Sequence, residues 1–123
     1  MKTALILVGH GSKKEEANRT LLEVAAQVKA SLGLEIVEAA FLQLAEPGLD
    51  EALAVCVGEG AERVILIPYF LYMGAHVTKD IPAWALEAKS RYPQIELIVG
   101  KHLGYHPKLA EVVAERVREA LGC

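Results

Sequence analysis

Met1-Lys2-Thr3-Ala4-Leu5-Ile6-Leu7-Val8-Gly9-His10-Gly11-Ser12 opens the chain and decides how the rest of it reads. Ala4 to Val8 is a continuous apolar run, the pattern of a strand buried on both faces rather than one alternating between core and water. The run resembles the start of a secretory leader. It ends after about five residues in Gly9-His10-Gly11-Ser12 with no small-residue cleavage site, which marks it instead as a buried strand. Beyond the turn, Leu21, Ala25, Val28 and Leu32 recur every three or four residues between charged positions, and Gly33 follows as a stop. A doubly buried strand leading into an amphipathic helix is a βα unit, and such units build parallel sheets.

The same grammar repeats along the chain. Glu35 to Phe41 reads as a second strand, and Leu49, Ala52, Leu53 and Val57 as a second helix that opens after Pro47 and ends at Gly58 to Gly60. Arg63 to about Phe70 is the third strand, with Pro68 marking where pairing stops because it lacks an N–H. Ile81, Ala85, Ala88 and Tyr92 follow at helical spacing after Thr78, and Ile95 to Val99 is the fourth strand. Leu109, Val112, Val113, Val117, Ala120 and Leu121 line one face of a closing helix with Pro107 in its first turn. Four βα units predict a mainly parallel four-stranded sheet, order 2-1-3-4, inside a three-layer α/β/α sandwich.

Composition agrees with one core. The 123 residues are 53% hydrophobic and 24% charged, which suits a single domain over residues 1–123 and excludes a disordered tail or two separate lobes. Thirteen Lys and Arg against sixteen Asp and Glu give a net charge of −3, with no basic field for nucleic acid. The longest apolar stretch, Val64 to Ala75, is interrupted by Pro68 and Gly74 and is too short to span a membrane. Cys56 and Cys123 have neither metal-motif nor disulfide-framework spacing, so Cys56 reads as a small core residue and the expected location is the cytoplasm.

In a doubly wound sheet ligands bind beyond the carboxyl ends of the strands, where strand order reverses. The loop after the first strand places His10 between two glycines, an exposed position poorly suited to space-filling. After the third strand comes Leu71-Tyr72-Met73-Gly74-Ala75-His76-Val77-Thr78, unusually apolar for a loop and ending near a second histidine. It reads as a hydrophobic ligand face, as a subunit contact, or as a continuation of the core. The loop after the second strand adds Gln43 and Glu46 to the same rim. Two imidazoles with an oxygen donor suit a borderline divalent ion. His102 and His106 have metal-like spacing, but Gly104 and Pro107 place them on a turn entering the last helix. Lys13, Lys14 and Lys79 lie beside the rim.

Leu7-Val8-Gly9-His10-Gly11-Ser12, then Phe41-Leu42, then Pro68-Tyr69-Phe70-Leu71 and Gly74 to Pro82, and finally Gly104 to Ala110, together make the chain resemble the sirohydrochlorin chelatases. It is similar to the short, single-domain class II cobaltochelatases over nearly its whole length. The resemblance implies a chelatase-like α/β/α fold and ATP-independent insertion of a divalent metal into sirohydrochlorin or precorrin-2. Co2+ is the expected metal, serving cobalamin synthesis, with Fe2+ or Ni2+ as alternatives. The metal is a substrate, and no permanently bound cofactor is expected. The family's metal-binding histidines fall on His10 and His76, and Gln43 stands where many relatives carry glutamate. A glutamine offers a carbonyl oxygen but cannot take up a proton.

Metal insertion replaces two pyrrole protons by one ion, so the site has to present the metal and accept protons. A neutral imidazole does both near neutral pH, and an incomplete ligand set releases the ion where a closed one retains it. Ser12, Lys13, Gln43, Leu71, Tyr72, Met73, Gly74, Ala75 and Thr78 are the expected substrate contacts. The apolar segment would face the macrocycle, while the lysines and the helix starts after Ser12 and Thr78 would face its carboxylates. A homodimer formed through the Leu71 to Met73 region, standing in for the fused halves of longer relatives, completes the expectation. The competing readings are a non-catalytic metal or tetrapyrrole carrier and a histidine phosphatase. The phosphatase needs an arginine where this chain has Gly9.

Overall fold

Ala4 to Gly9 are all buried because the strand they belong to, β1 (Thr3–Gly9), has a neighbour on each side. In the computed structural model, which describes residues 1–122, β1 pairs in parallel with β2 (Ile36–Phe41) and with β3 (Arg63–Pro68). Cys123 lies outside the described residues. β4 (Glu96–Val99) pairs with β3 and completes a parallel sheet in the order β2-β1-β3-β4. The expected order 2-1-3-4 is therefore the one observed. The reversal of strand order falls between β1 and β3, and their carboxyl ends are where ligands bind in sheets of this kind.

Strand alternation divides the core between the two sheet faces. Ile6, Val8, Val64 and Leu66 pack with Leu53 and Cys56 of α2 (Leu49–Gly58) and with Ile81, Ala85 and Ala88 of α3 (Ala75–Arg91). On the opposite face Leu7, Ala39 and Phe41 pack with Leu21 and Ala25 of α1 (Glu15–Leu32). Each fully buried aliphatic side chain contributes about 1.5–3 kcal/mol of burial free energy. Cys56 is fully buried, and burial pushes its thiol up to about 12, which makes it a core residue with little thiolate character. Gly33 ends α1 in the left-handed conformation (φ 65°), its N–H donating to the Lys29 carbonyl at 2.9 Å.

Three expectations shift. β3 ends at Pro68 rather than Phe70: Tyr69 N–H still donates to the Val8 carbonyl at 2.8 Å, but Phe70 N–H turns back to the Pro68 carbonyl at 3.0 Å. α3 begins at Ala75, not after Thr78, because the extended Gly74 caps it and its carbonyl accepts from both Thr78 N–H (3.1 Å) and Thr78 Oγ1 (2.9 Å). The closing helix α4 (Pro107–Ala120) forms, yet none of its residues is buried. Its approach explains this. Gly100 N–H is held by the Leu66 carbonyl and Gly104 N–H by the Phe70 carbonyl, so the connection is tied across the end of β3 before α4 starts.

Asp50 links the two helices on one face. Its Oδ1 accepts from Trp84 Nε1 at 2.7 Å and from Arg91 Nη2 at 2.9 Å. The Arg91 bond first, then the Trp84 bond, holds the carboxyl below the ordinary carboxylate range. A folded pKa below the unfolded one stabilises above the unfolded value of about 3.9 and loses that contribution as pH falls through the folded value. Asp50→Ala is expected to cost about 1 kcal/mol near neutral pH, kept small by solvent exposure. In urea titrations across a pH series, its deficit against the parent chain should shrink below about pH 4.

Candidate active site at the carboxyl ends of β1 and β3

His10 is the first residue beyond β1, and the backbone around it is shaped by two close approaches. A Cβ on Gly9 would meet Leu21 Cδ2 at 3.1 Å. Gly11 has φ +93°, and a Cβ there would stand 1.8 Å from the Gln43 carbonyl oxygen. That contact exists because the loops after β1 and β2 are joined: Leu42 N–H donates to the Gly9 carbonyl and Gln43 N–H to the His10 carbonyl, both at 3.0 Å. The His10 imidazole is exposed but lies against Phe70, with ring centroids 4.4 Å apart and a 58° tilt. The aromatic contact limits its rotation and leaves the ring edge toward solvent available.

The rest of the turn is clamped by one side chain. Asn18 of α1 accepts from Ser12 N–H through Oδ1 at 2.9 Å and donates through Nδ2 to the Ser12 carbonyl at 2.8 Å. Ser12 Oγ in turn accepts from Lys14 N–H at 3.1 Å. A cavity of about 240 Å3 beside His10 is lined by Ser12, Asn18, Phe41 and Tyr69 among others. A second, about 360 Å3, shares Ser12, Asn18 and Phe41 and adds Lys13, Arg19 and Glu46. The two form one shallow trough on the α1 side of His10.

On the β3 side, Phe70 is buried while Leu71 and Tyr72 are 58% and 82% exposed. Met73 is half-buried against the core. The segment after β3 is thus both apolar and exposed at Leu71 and Tyr72 only. His76 and Thr78 are exposed and sit in the first turn of α3 rather than on a loop, with Gly74 and Ala75 at its start. Leu71 to Ala75, His76 and Thr78 line neither cavity of the trough. His10 and His76 therefore follow adjacent parallel strands at the same end of the sheet. His106 serves the backbone instead, capping α4 with its Nδ1, which accepts from Lys108 N–H at 3.1 Å. Among the described residues no three His, Cys, Asp or Glu side chains are grouped to hold a metal ion. The arrangement offers two exposed imidazoles and no closed ligand cage.

The CbiX family profile matches residues 4–120. The chain belongs to the CbiX family. Relatives of this CbiX chain include a chloroplastic sirohydrochlorin ferrochelatase of Arabidopsis thaliana, 38% identical, covering 95% of this chain and 52% of its own length. A sirohydrochlorin cobaltochelatase of Methanosarcina acetivorans is 32% identical with 98% of both chains covered. The sirohydrochlorin chelatase SirB from Bacillus subtilis subspecies spizizenii, in complex with cobalt, superposes with a TM-score of 0.89 at 33% identity, over 97% of this chain and 51% of that one. The chain spans about half the length of several curated relatives it matches.

Two contributors to this CbiX site are not evident from the sequence. Asn18 lies six residues beyond Ser12, inside a helix where asparagine carries no local signal, and only the fold turns its amide onto the Ser12 peptide. Phe70 reads as the end of a strand, whereas it is the ring against which His10 rests. Asn18→Ala removes both hydrogen bonds to the Ser12 backbone and is expected to cost roughly 1–3 kcal/mol. Thermal unfolding, with backbone amide exchange at Ser12 faster than in the parent chain, is the measurement.

Proposed function

We propose that this chain is a sirohydrochlorin chelatase that inserts a divalent metal ion into the macrocycle without ATP. The observation that carries the reading is the pair of exposed histidines, His10 and His76, following adjacent strands at the sheet's reversal point. Relatives named as sirohydrochlorin chelatases share this fold and family. Co2+ is our preferred metal, because the Methanosarcina cobaltochelatase matches along 98% of both chains, whereas the Arabidopsis ferrochelatase is matched over 52% of its length. Fe2+ is the second reading. The ion is a substrate handed to the ring, and an open pair of imidazoles suits delivery.

In this mechanism sirohydrochlorin lies over the strand ends with its carboxylates toward Lys13 and Arg19 at the trough and its face toward Leu71 and Tyr72. His10 and His76 present the ion and, as their ring nitrogens release it to the macrocycle, take up the two pyrrole protons, and Gln43 offers a neutral oxygen donor. We place the reaction in the cytoplasm, in keeping with the reduced, buried Cys56, and assign the working unit as a homodimer.

Anaerobic absorbance spectra of sirohydrochlorin with Co2+, Fe2+ or Ni2+ and catalytic amounts of protein test the proposal. Many turnovers per chain, fastest with Co2+, are expected. Stoichiometric binding without turnover would instead describe a carrier. Gln43→Glu should change the order of rates among the three ions, and an unchanged order would remove Gln43 from metal selection.

A further inference from the structure

A histidine flanked by glycines has no neighbouring side chain to lean on, and an exposed imidazole is free to occupy several staggered rotamers. Each rotamer aims the ring nitrogens in a different direction, so handing an ion from His10 to a macrocycle requires one rotamer to be selected. His106 shows one means of selection: its Nδ1 accepts from Lys108 N–H at 3.1 Å, and that nitrogen is thereby occupied. His10 is held differently. Its ring rests on Phe70, with centroids 4.4 Å apart and planes tilted by 58°. An aromatic contact fixes the orientation of the ring and leaves its nitrogens for a ligand.

Phe70 is itself a fixed reference. It is 6% exposed and belongs to the core cluster that contains Val77 and Ile81 of α3, the helix whose first turn carries His76. Its N–H donates to the Pro68 carbonyl at 3.0 Å, and its carbonyl accepts from Gly104 N–H at 3.3 Å. One residue earlier, Tyr69 N–H donates at 2.8 Å to the carbonyl of Val8, two residues before His10. The phenyl ring thus shares a core with the helix of one histidine and touches the ring of the other.

We infer that Phe70 is a positioning residue for metal insertion: its ring selects the rotamer of His10 and keeps that imidazole in a fixed relation to His76. The inference rests on the chelatase reading above and deepens it. Two imidazoles acting on one ion have to be held relative to each other, and a displacement of about 1 Å at a reacting group can cost about a hundredfold in rate. Leucine at this position preserves most of the apolar burial but removes the flat face. Substitution therefore separates rotamer selection from packing.

Phe70→Leu is expected to lower kcat for Co2+ insertion about ten- to a hundredfold, with KM for sirohydrochlorin within about twofold of the parent, because the ring acts on the transferring imidazole and not on substrate binding. Phe70→Tyr keeps the ring and should hold kcat within about threefold. Leu53→Val, on α2 in the same core cluster, is the control for lost packing, and its kcat should match the parent at a temperature where every variant is folded by circular dichroism. Phe70→Met, also without a ring but flexible enough to fill the space, takes the place of Phe70→Leu if that variant does not fold. The deciding measurement is a double-mutant cycle. In a His10→Ala background Phe70→Leu should change kcat by less than about twofold, whereas loss of packing alone would lower it by the same factor in both backgrounds. Proton magnetic resonance adds a readout apart from activity: the His10 ring protons should be shifted away from those of His76 in the parent and in Phe70→Tyr, and should move to the positions of an exposed histidine in Phe70→Leu. Parent-like kcat in Phe70→Leu, equal losses in both His10 backgrounds, or His10 resonances indifferent to Phe70→Leu would each overturn the inference and leave the chelatase reading standing. Absence of turnover by the parent chain would instead overturn the chelatase reading, and this inference with it.

Discussion

Replacing His10 or His76 by alanine is expected to slow Co2+ insertion into sirohydrochlorin by about 10²- to 10⁴-fold, the range for losing a positioned proton acceptor. Both side chains are exposed, so neither substitution removes core packing. His10→Ala gives up its contact with Phe70, at 4.4 Å, worth about 0.5–1.5 kcal/mol, and should lower the melting temperature slightly. His76→Ala is expected to leave it nearly unchanged. If the two imidazoles serve one step, the double variant will be little slower than the slower single one, because groups acting as a unit are strongly non-additive. Initial rates from the absorbance change under anaerobic conditions decide between these outcomes. Parent-like rates for both single variants would remove the two histidines from the mechanism.

Gly11→Ala carries the largest expected structural effect. The added Cβ would stand 1.8 Å from the Gln43 carbonyl oxygen and 3.2 Å from Phe41 Cβ, at a residue with φ +93°. A backbone carbonyl cannot move aside as a flexible side chain can. The loop pair must separate, with loss of the Gln43 N–H bond to the His10 carbonyl. Overpacking of about 1–3 kcal/mol adds to about 1–2 kcal/mol for the left-handed backbone. A fall in melting temperature on the order of 10 °C or more is expected, together with loss of metal insertion. Gly33→Ala is the control: its φ is also positive, but nothing lies within 4 Å of its Cβ position, so only the backbone cost applies and turnover should persist.

The interior place of β1 was legible from Ala4 to Val8, because a strand buried on both faces has to be continuously apolar. The exposure of His10 was legible for a related reason: glycines on both sides at a strand end leave the imidazole outside the core, although the Phe70 ring it rests on was not legible. Gly33 as the stop of α1 and Pro68 as the end of pairing were equally local, each set by the conformational limits of one residue. The start of α3 was not. It depends on Gly74 lending its carbonyl to Thr78 twice, a choice between two adjacent turns that periodicity does not distinguish.

The amino-acid sequence by itself determined the elements and their succession along the chain as parallel βα units, since these follow from periodicity and from the chirality of parallel crossovers. Tertiary structure alone decided three things. It brought Gln43 onto the His10 peptide, it turned Asn18 onto Ser12, and it left the amphipathic α4 with no buried residue. The physical reason is shared. Each depends on contacts between residues distant in sequence or on the direction of a connection, whereas a hydrophobic pattern states only that a face will be buried, and is silent on what buries it.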